Sequence, residues 1–254
     1  MRPEDSRRKN NPSVLKSLYC IGHRGACGHA PENTLLSIRK AMAFGVDCVE
    51  LDVYAVENEL IVIHDATLDR TTNGKGPLSE HSLKSIRSLD AGHGEKIPFL
   101  SEVMDLIDAR VDLNIELKGP GTALPVIDFL SDYLKRTRWT REKIILSSFR
   151  FKDLKKAKNA LAGIHIGCLF RGFDPGFIGQ AKSLHAWSVH FPRLVMHQGL
   201  VNKAHRNGFK VFSFTVNEPP HIRRMAGMGA DGVFSDFPDR VIAFNKSLGN
   251  PLPD

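Results

Sequence analysis

From residue 18 onward, short apolar runs alternate with longer amphipathic stretches. The run Leu18-Tyr19-Cys20-Ile21-Gly22 reads as a buried strand ending in glycine. Residues 33–44 place Leu35, Leu36, Ile38, Ala41 and Met42 near helical spacing, and Gly45 stops the helix. Residues 47–53 predict a second strand, Glu57-Asn58-Glu59 a turn, and residues 60–63 a short returning strand. The alternation resumes with strands at 111–117, 143–146, 164–169, 186–189, 211–214 and 232–234. Helices are expected at 123–135, 151–161, 201–206, 221–228 and 240–246.

Residues 66–100 break this rhythm. Asn73-Gly74, Lys75-Gly76-Pro77, Gly92, Gly94 and Pro98 are loop chemistry, with at most one short helix. An excursion of that length in a compact domain is usually a lid or a binding loop, so it is expected to cap a site. Repeated strand-then-helix units with glycine-bounded strands argue for a parallel sheet. About eight such strands favour a closed α/β barrel over an open doubly wound sheet. No Gly-x-Gly-x-x-Gly follows the first strand, which argues against a dinucleotide fold. Residues 17–248 then form a single domain after a polar, basic and disordered tail over 1–16.

Composition changes the picture only at its edges. The chain of 254 residues is 42% hydrophobic and 25% charged, ordinary values for a globular domain. The net charge of +7 is spread over several clusters. No aromatic interleaving of the kind that stacks bases accompanies them, so the clusters read as solvated faces and nucleic acid is not an expected partner. Cys20, Cys27, Cys48 and Cys168 form no CxxC pair and no zinc-finger spacing, a pattern that fits a reduced cytoplasm. No apolar stretch follows the basic residues before Asn11, so a signal peptide is not expected, and no run approaches the ~18 apolar residues of a spanning helix.

Candidate chemistry gathers where buried strands end. In Val49-Glu50-Leu51-Asp52-Val53 the period of two puts Glu50 and Asp52 on one face. Two buried carboxylates repel each other, and one must take up a proton unless a cation sits between them. In Leu113-Asn114-Ile115-Glu116-Leu117-Lys118, Glu116 and Lys118 share a face in the same way. Neighbouring strands would bring Glu50, Asp52 and Glu116 to one point. Three carboxylates suit a hard divalent cation, Mg2+ or Ca2+, and do not suit zinc. Arg24 and Lys118 facing the same space would supply what a phosphate needs. His23, after the first strand, and His64, after the returning strand, titrate in the range for removing one proton and delivering another. Which acts as acid and which as base is open, as is whether water or a neighbouring hydroxyl attacks. His190 is expected near a late strand end, lining the pocket or packing behind it.

These motifs resemble, in order and spacing, the glycerophosphodiester phosphodiesterase family. His23-Arg24-Gly25 with Ala30-Pro31-Glu32-Asn33-Thr34 is similar to its opening motif. Glu50-Leu51-Asp52, His64-Asp65 and Ile115-Glu116-Leu117-Lys118 follow, then Leu68 through Gly74 as the start of an insertion. Thr215-Val216-Asn217, residues 229–233 and Asp236-Phe237-Pro238 are similar to its closing motifs. The resemblance covers roughly residues 18–245. It implies a TIM-type (β/α)8 barrel and hydrolysis of glycerophosphodiesters, small soluble substrates, to sn-glycerol 3-phosphate and an alcohol. It implies a divalent cation on Glu50, Asp52 and Glu116, an acid–base pair in His23 and His64, and Arg24 and Lys118 on the phosphate. Glu32 would orient one of these groups. The family often has Trp where Phe214 stands, which implies a retuned glycerol pocket. The signal-free form resembles the short cytosolic bacterial branch and implies a place in glycerol and lipid metabolism. Phospholipase D-type action on lysophospholipids, and a non-enzymatic barrel binding anionic ligands, are the alternatives.

Overall fold

The computed structural model describes residues 15–249. The expected tail therefore lies largely outside the described residues; Leu15, at its end, packs against the core. Eight parallel strands close into a barrel: β1 (Tyr19–Gly22), β2 (Cys48–Val56), β4 (Asp112–Leu117), β5 (Ile144–Ser148), β6 (His165–Leu169), β7 (Ser188–Pro192), β8 (Lys210–Phe214) and β9 (Gly232–Ser235). The pairing of β9 with β1 closes the ring. The remaining strand, β3 (Glu59–Val62), runs antiparallel to β2 and extends it outward as a hairpin. Glu57 and Asn58 both have positive φ, as a two-residue primed hairpin turn requires.

Helices pack outside the ring. The first, α1 (Leu35–Phe44), begins where the Thr34 side chain accepts from the Ser37 amide and ends at left-handed Gly45. Two helices not expected from the sequence are present. Within the insertion only a six-residue helix, α2 (Leu83–Ser88), and a short 3-10 turn at Leu78–Glu80 form. Directly after it comes α3 (Leu100–Ile107), which buries Leu100, Val103, Met104 and Ile107. That spacing is helical in the sequence, but it abuts a stretch rich in glycine and proline, whose turn signals mask it. The other is α6 (Phe177–Ser183), too short to carry a clear period. The remaining helices are α4 (Ala123–Arg136), α5 (Phe151–Ala160), α7 (Gln198–Arg206), α8 (Pro219–Gly227) and α9 (Pro238–Gly249). The last two start earlier than expected because proline is tolerated in a first helical turn.

The outer faces of the strands and the inner faces of the helices make the main core. A second cluster fills the barrel interior with Ile21, Cys48, Ile145, Phe212 and Phe234. A third, built from Ile61, Ile63, Leu68, Leu78, Ile86, Ala91 and Ile97, holds the insertion against β3. Residues 66–100 are thus anchored by their own apolar cluster. Among the described residues all four cysteines are free thiols, and no helix is long and apolar enough to cross a membrane.

Candidate active site

The site is built on the C-terminal ends of the barrel strands, the edge at which barrels of this kind carry their chemistry. Glu50 and Asp52 lie two apart on β2, and the register sets Glu50 opposite Asn114 and Asp52 opposite Glu116 on β4. Oxygens of Glu50, Asp52 and Glu116 all fall within 4.8 Å of one another, and all three residues are buried. His23 follows β1. His64 is returned to the same rim by the hairpin, where the Ile63 amide donates to the Asp52 carbonyl at 3.0 Å. A cavity of about 310 Å³ opens between them, lined by His23, Arg24, Glu50, His64, Asn114, Glu116 and Lys118 on one side. Phe149, Leu169, Arg171, Phe214, Thr215 and Phe234 line the other. Larger hollows of about 600 and 520 Å³ lie at the opposite end of the barrel and beside α4, and among the described residues neither holds a cluster of metal-ligating groups.

The acids are unequally compensated. Arg24 Nε lies 3.3 Å from Asp52, Lys118 Nζ lies 3.6 Å from it, and Asn33 Nδ2 donates to it at 2.9 Å. Burial works against the charge on Asp52, but Arg24, Lys118 and His64 outweigh it and hold the carboxyl below its usual range. Glu116 receives Lys118 Nζ at 2.9 Å. Among the described residues Glu50 accepts only the Arg24 backbone amide, at 2.9 Å. Burial and the neighbouring Asp52 charge push Glu50 up to about 8. A carboxyl held neutral to that pH among other acids marks a place short of one positive charge. Asn114 Oδ1, on the same wall, is buried with no hydrogen-bond partner among the described residues. A buried set of oxygen donors with a charge deficit and an orphaned oxygen fits a hard divalent cation.

Each histidine is backed by a carboxylate. His23 Nδ1 bonds Asp236 Oδ1 at 2.6 Å. Asp236 is itself fixed by Asn217, whose Nδ2 donates to it at 2.6 Å and whose Oδ1 accepts its amide at 2.9 Å. His64 Nδ1 bonds Asp65 Oδ1 at 2.5 Å, and its Nε2 lies 3.1 Å from Lys118 Nζ. Burial lowers the affinity of His23 for a proton, but Asp236 and Glu50 outweigh it and the net shift is upward. For His64, burial leads and the net shift is downward. Asp65 is shared: Arg70 Nε also donates to it, at 2.6 Å, and the Arg70 bond holds its carboxyl down at about 2.

Glu32 joins the opening motif to the insertion. It accepts Arg24 Nη1 at 2.8 Å and two bonds from Arg70, at 2.6 and 2.8 Å. Arg24 is therefore engaged with acids on two sides. Asp236, Asn217, Asp65 and Arg70 are parts of the site to which sequence reasoning gave no role, although each falls in or beside a motif. Asp65 adjoins His64, so only its partner Arg70 needed the fold. Asp236 had no local signal, because its partner is at the other end of the chain.

Phe214 lines the cavity, edge-on to Phe149 at 6.2 Å and to Phe234 at 6.3 Å between ring centroids. His190 does not line it. The strand expected at 186–189 runs Ser188–Pro192, which moves His190 from a strand end to mid-strand and into the barrel interior. There it is fully buried between Phe212 and Phe234, with Nε2 2.7 Å from Ser188 Oγ. Gly167 makes room for it, since a Cβ at that position would stand 2.6 Å from the imidazole.

Fold and site together define a TIM-barrel hydrolase of phosphoric diesters. The chain belongs to the glycerophosphoryl diester phosphodiesterase family, whose pattern matches residues 23–240. It is 35% identical over 249 residues to the glycerophosphodiester phosphodiesterase of Caldanaerobacter subterraneus subsp. tengcongensis, covering 92% of this chain and all of that one. It is 30% identical to the enzyme of the same name from Bacillus altitudinis, over 90% of this chain and 98% of the relative. A phosphodiesterase from Oleispira antarctica, solved with its product sn-glycerol 3-phosphate, superposes with a TM-score of 0.83 at 30% identity, over 91% of this chain and 97% of the other. The chain is accordingly an enzyme of glycerophosphodiester hydrolysis, which sets aside the non-enzymatic barrel.

Proposed function

We propose that the enzyme cleaves small glycerophosphodiesters to sn-glycerol 3-phosphate and an alcohol, with a divalent cation and a histidine pair. The observation that carries this is the meeting of Glu50, Asp52 and Glu116 within 4.8 Å, between two carboxylate-backed histidines in one cavity. Those three residues would hold Mg2+ or Ca2+, both hard ions that take oxygen donors. When bound, such an ion neutralises charge on the phosphate and polarises it toward attack. Arg24 and Lys118, both lining the cavity, would receive phosphate oxygens. Glu32, bonded to Arg24, orients that guanidinium. Product capture by the Oleispira relative supports glycerol 3-phosphate as the retained half.

The two histidines divide the proton transfers. Lys118 has no acceptor, so its approach to His64 Nε2 at 3.1 Å requires that nitrogen to carry a lone pair. His64 is then neutral and serves as the base that takes the proton from the attacking oxygen. His23, held by Asp236 and shifted upward, keeps its proton and delivers it to the leaving alcohol. The cavity volume, about 310 Å³, suits a compact polar diester and supports a soluble substrate over a lysophospholipid. The test is release of glycerol 3-phosphate from a panel of glycerophosphodiesters. Chelation with EDTA is expected to abolish it and added Mg2+ or Ca2+ to restore it; turnover indifferent to EDTA overturns the cation's part.

A further inference from the structure

The two halves of the cavity differ in kind. The half on β1, β2 and β4 carries all its acids, and Glu50 and Glu116 belong to the metal-ligating cluster. The half on β5, β6, β8 and β9 presents Phe149, Leu169, Phe214 and Phe234, with Arg171 at its rim after β6. The Arg171 guanidinium carbon lies 4.5 Å above the centroid of the Phe149 ring. Among the described residues it makes no ion pair and no side-chain hydrogen bond. By contrast, Arg24 and Lys118, the other cations lining the cavity, are both paired to carboxylates. Arg171 is exposed and lines the cavity, so its charge stands at a solvent-open rim.

A diester carries two groups on its phosphate, the retained glycerol and the leaving alcohol. We infer that, with the phosphate at the acid half and the glycerol between it and Phe214, the alcohol reaches the rim after β6, where Arg171 selects it by charge: neutral polyol and anionic head groups are accepted, and quaternary ammonium head groups are disfavoured. This rests on the reading of the cavity as a glycerophosphodiester site. A quaternary ammonium is recognised by an open aromatic face or by a carboxylate. Here the face of Phe149 is already covered by a guanidinium, and Phe214 meets the same ring edge to face at 6.2 Å. Among the described residues no acid lines this half of the cavity. The cation instead repels a second positive charge and attracts a phosphate or carboxylate on the alcohol, and its donors suit vicinal hydroxyls.

The test compares kcat/KM for three substrates: glycerophosphocholine, glycerophosphoglycerol, and glycerophosphoglycerol carrying a terminal phosphate. At low ionic strength the wild type is expected to prefer the terminal phosphate over choline by about tenfold or more. The ratio should shrink as salt screens an exposed charge, over a Debye length of about 8 Å at 0.15 M. Arg171→Gln is expected to flatten the ratio and Arg171→Glu to invert it. Equal loss on all three substrates would place Arg171 on the shared phosphate, and an unchanged ratio would place it outside recognition; either result overturns the inference. Absence of turnover on every substrate by the wild type would instead overturn the underlying reading.

Discussion

His23 and Asp236 stand 213 positions apart in the chain and share a hydrogen bond of 2.6 Å. The bond exists because β9 pairs with β1 and closes the barrel, setting Ser235 beside Gly22. It ties the first motif of the sequence to the last, and Asn217 from the end of β8 locks the acid in place.

Removing either member should therefore affect turnover without unfolding the chain. His23→Ala is expected to lower kcat by ~100-fold or more, and Asp236→Asn by about 100-fold. The second change also removes the group that raises His23. An acid must be protonated to act, so activity is lost as pH rises through its pKa. In Asp236→Asn that alkaline limb should move to lower pH, as read in a pH–rate profile. A limb that stays in place would detach Asp236 from the titration of His23.

The division of labour between the histidines is checked with leaving groups. A nitrophenolate departs without a proton, whereas a glycerol or choline alkoxide needs one. His23→Ala should lose ~100-fold on alkyl diesters and less than ~10-fold on a 4-nitrophenyl diester. His64→Ala should lose ~100-fold on both. The reverse pattern would exchange the two roles.

Glu50 makes stability depend on cation and pH together. Its folded pKa of about 8 lies above the ordinary value of 4.5, so ionising it in the fold without a cation is unfavourable. The chelated protein should accordingly lose stability from this group as pH rises from about 5 to 8. A divalent cation replaces the proton, so its stabilising effect should grow over the same interval. Thermal denaturation with and without Mg2+ at several pH values reads this directly. In Glu50→Gln the pH dependence of the cation effect should shrink, and an undiminished dependence would exclude Glu50 as its source.

His190 has the opposite signature, stability without catalysis. Burial drives its pKa down to about 3, so it stays neutral in the folded chain while an unfolded histidine is protonated below about 6.5. Stability from this neutral group is present above that value and is lost as pH falls toward 3. His190→Ala should cost about 2–4 kcal/mol through the cavity it leaves, remove this acid component, and leave turnover within about threefold. Denaturant unfolding and steady-state rates measure the two; a large fall in turnover with unchanged stability would return His190 to the site.

Much of the site was legible in the chain because side-chain direction along a strand is local. Alternation alone puts Glu50 with Asp52, and Glu116 with Lys118, on common faces, and the barrel sets those faces inward together. Helix α1 and its glycine stop were equally local. Helix α3 was hidden only because turn-forming residues crowd its start. The case of His190 shows how narrow the margin is: a strand displaced by two residues turns a rim residue into an interior one.

What the sequence by itself determined is the repertoire: strand faces bearing three acids, with two histidines and two cations just past strand ends, on a chain patterned for a parallel barrel. What only the tertiary structure decided is which groups meet. Closure of the ring selected Asp236 for His23. The insertion brought Arg70 between Glu32 and Asp65, and the far rim set Arg171 over Phe149. The physical reason is range. Backbone geometry orients neighbouring side chains within a few residues, whereas a hydrogen bond between distant residues depends on how the strands are ordered around the barrel, and no local pattern encodes that order.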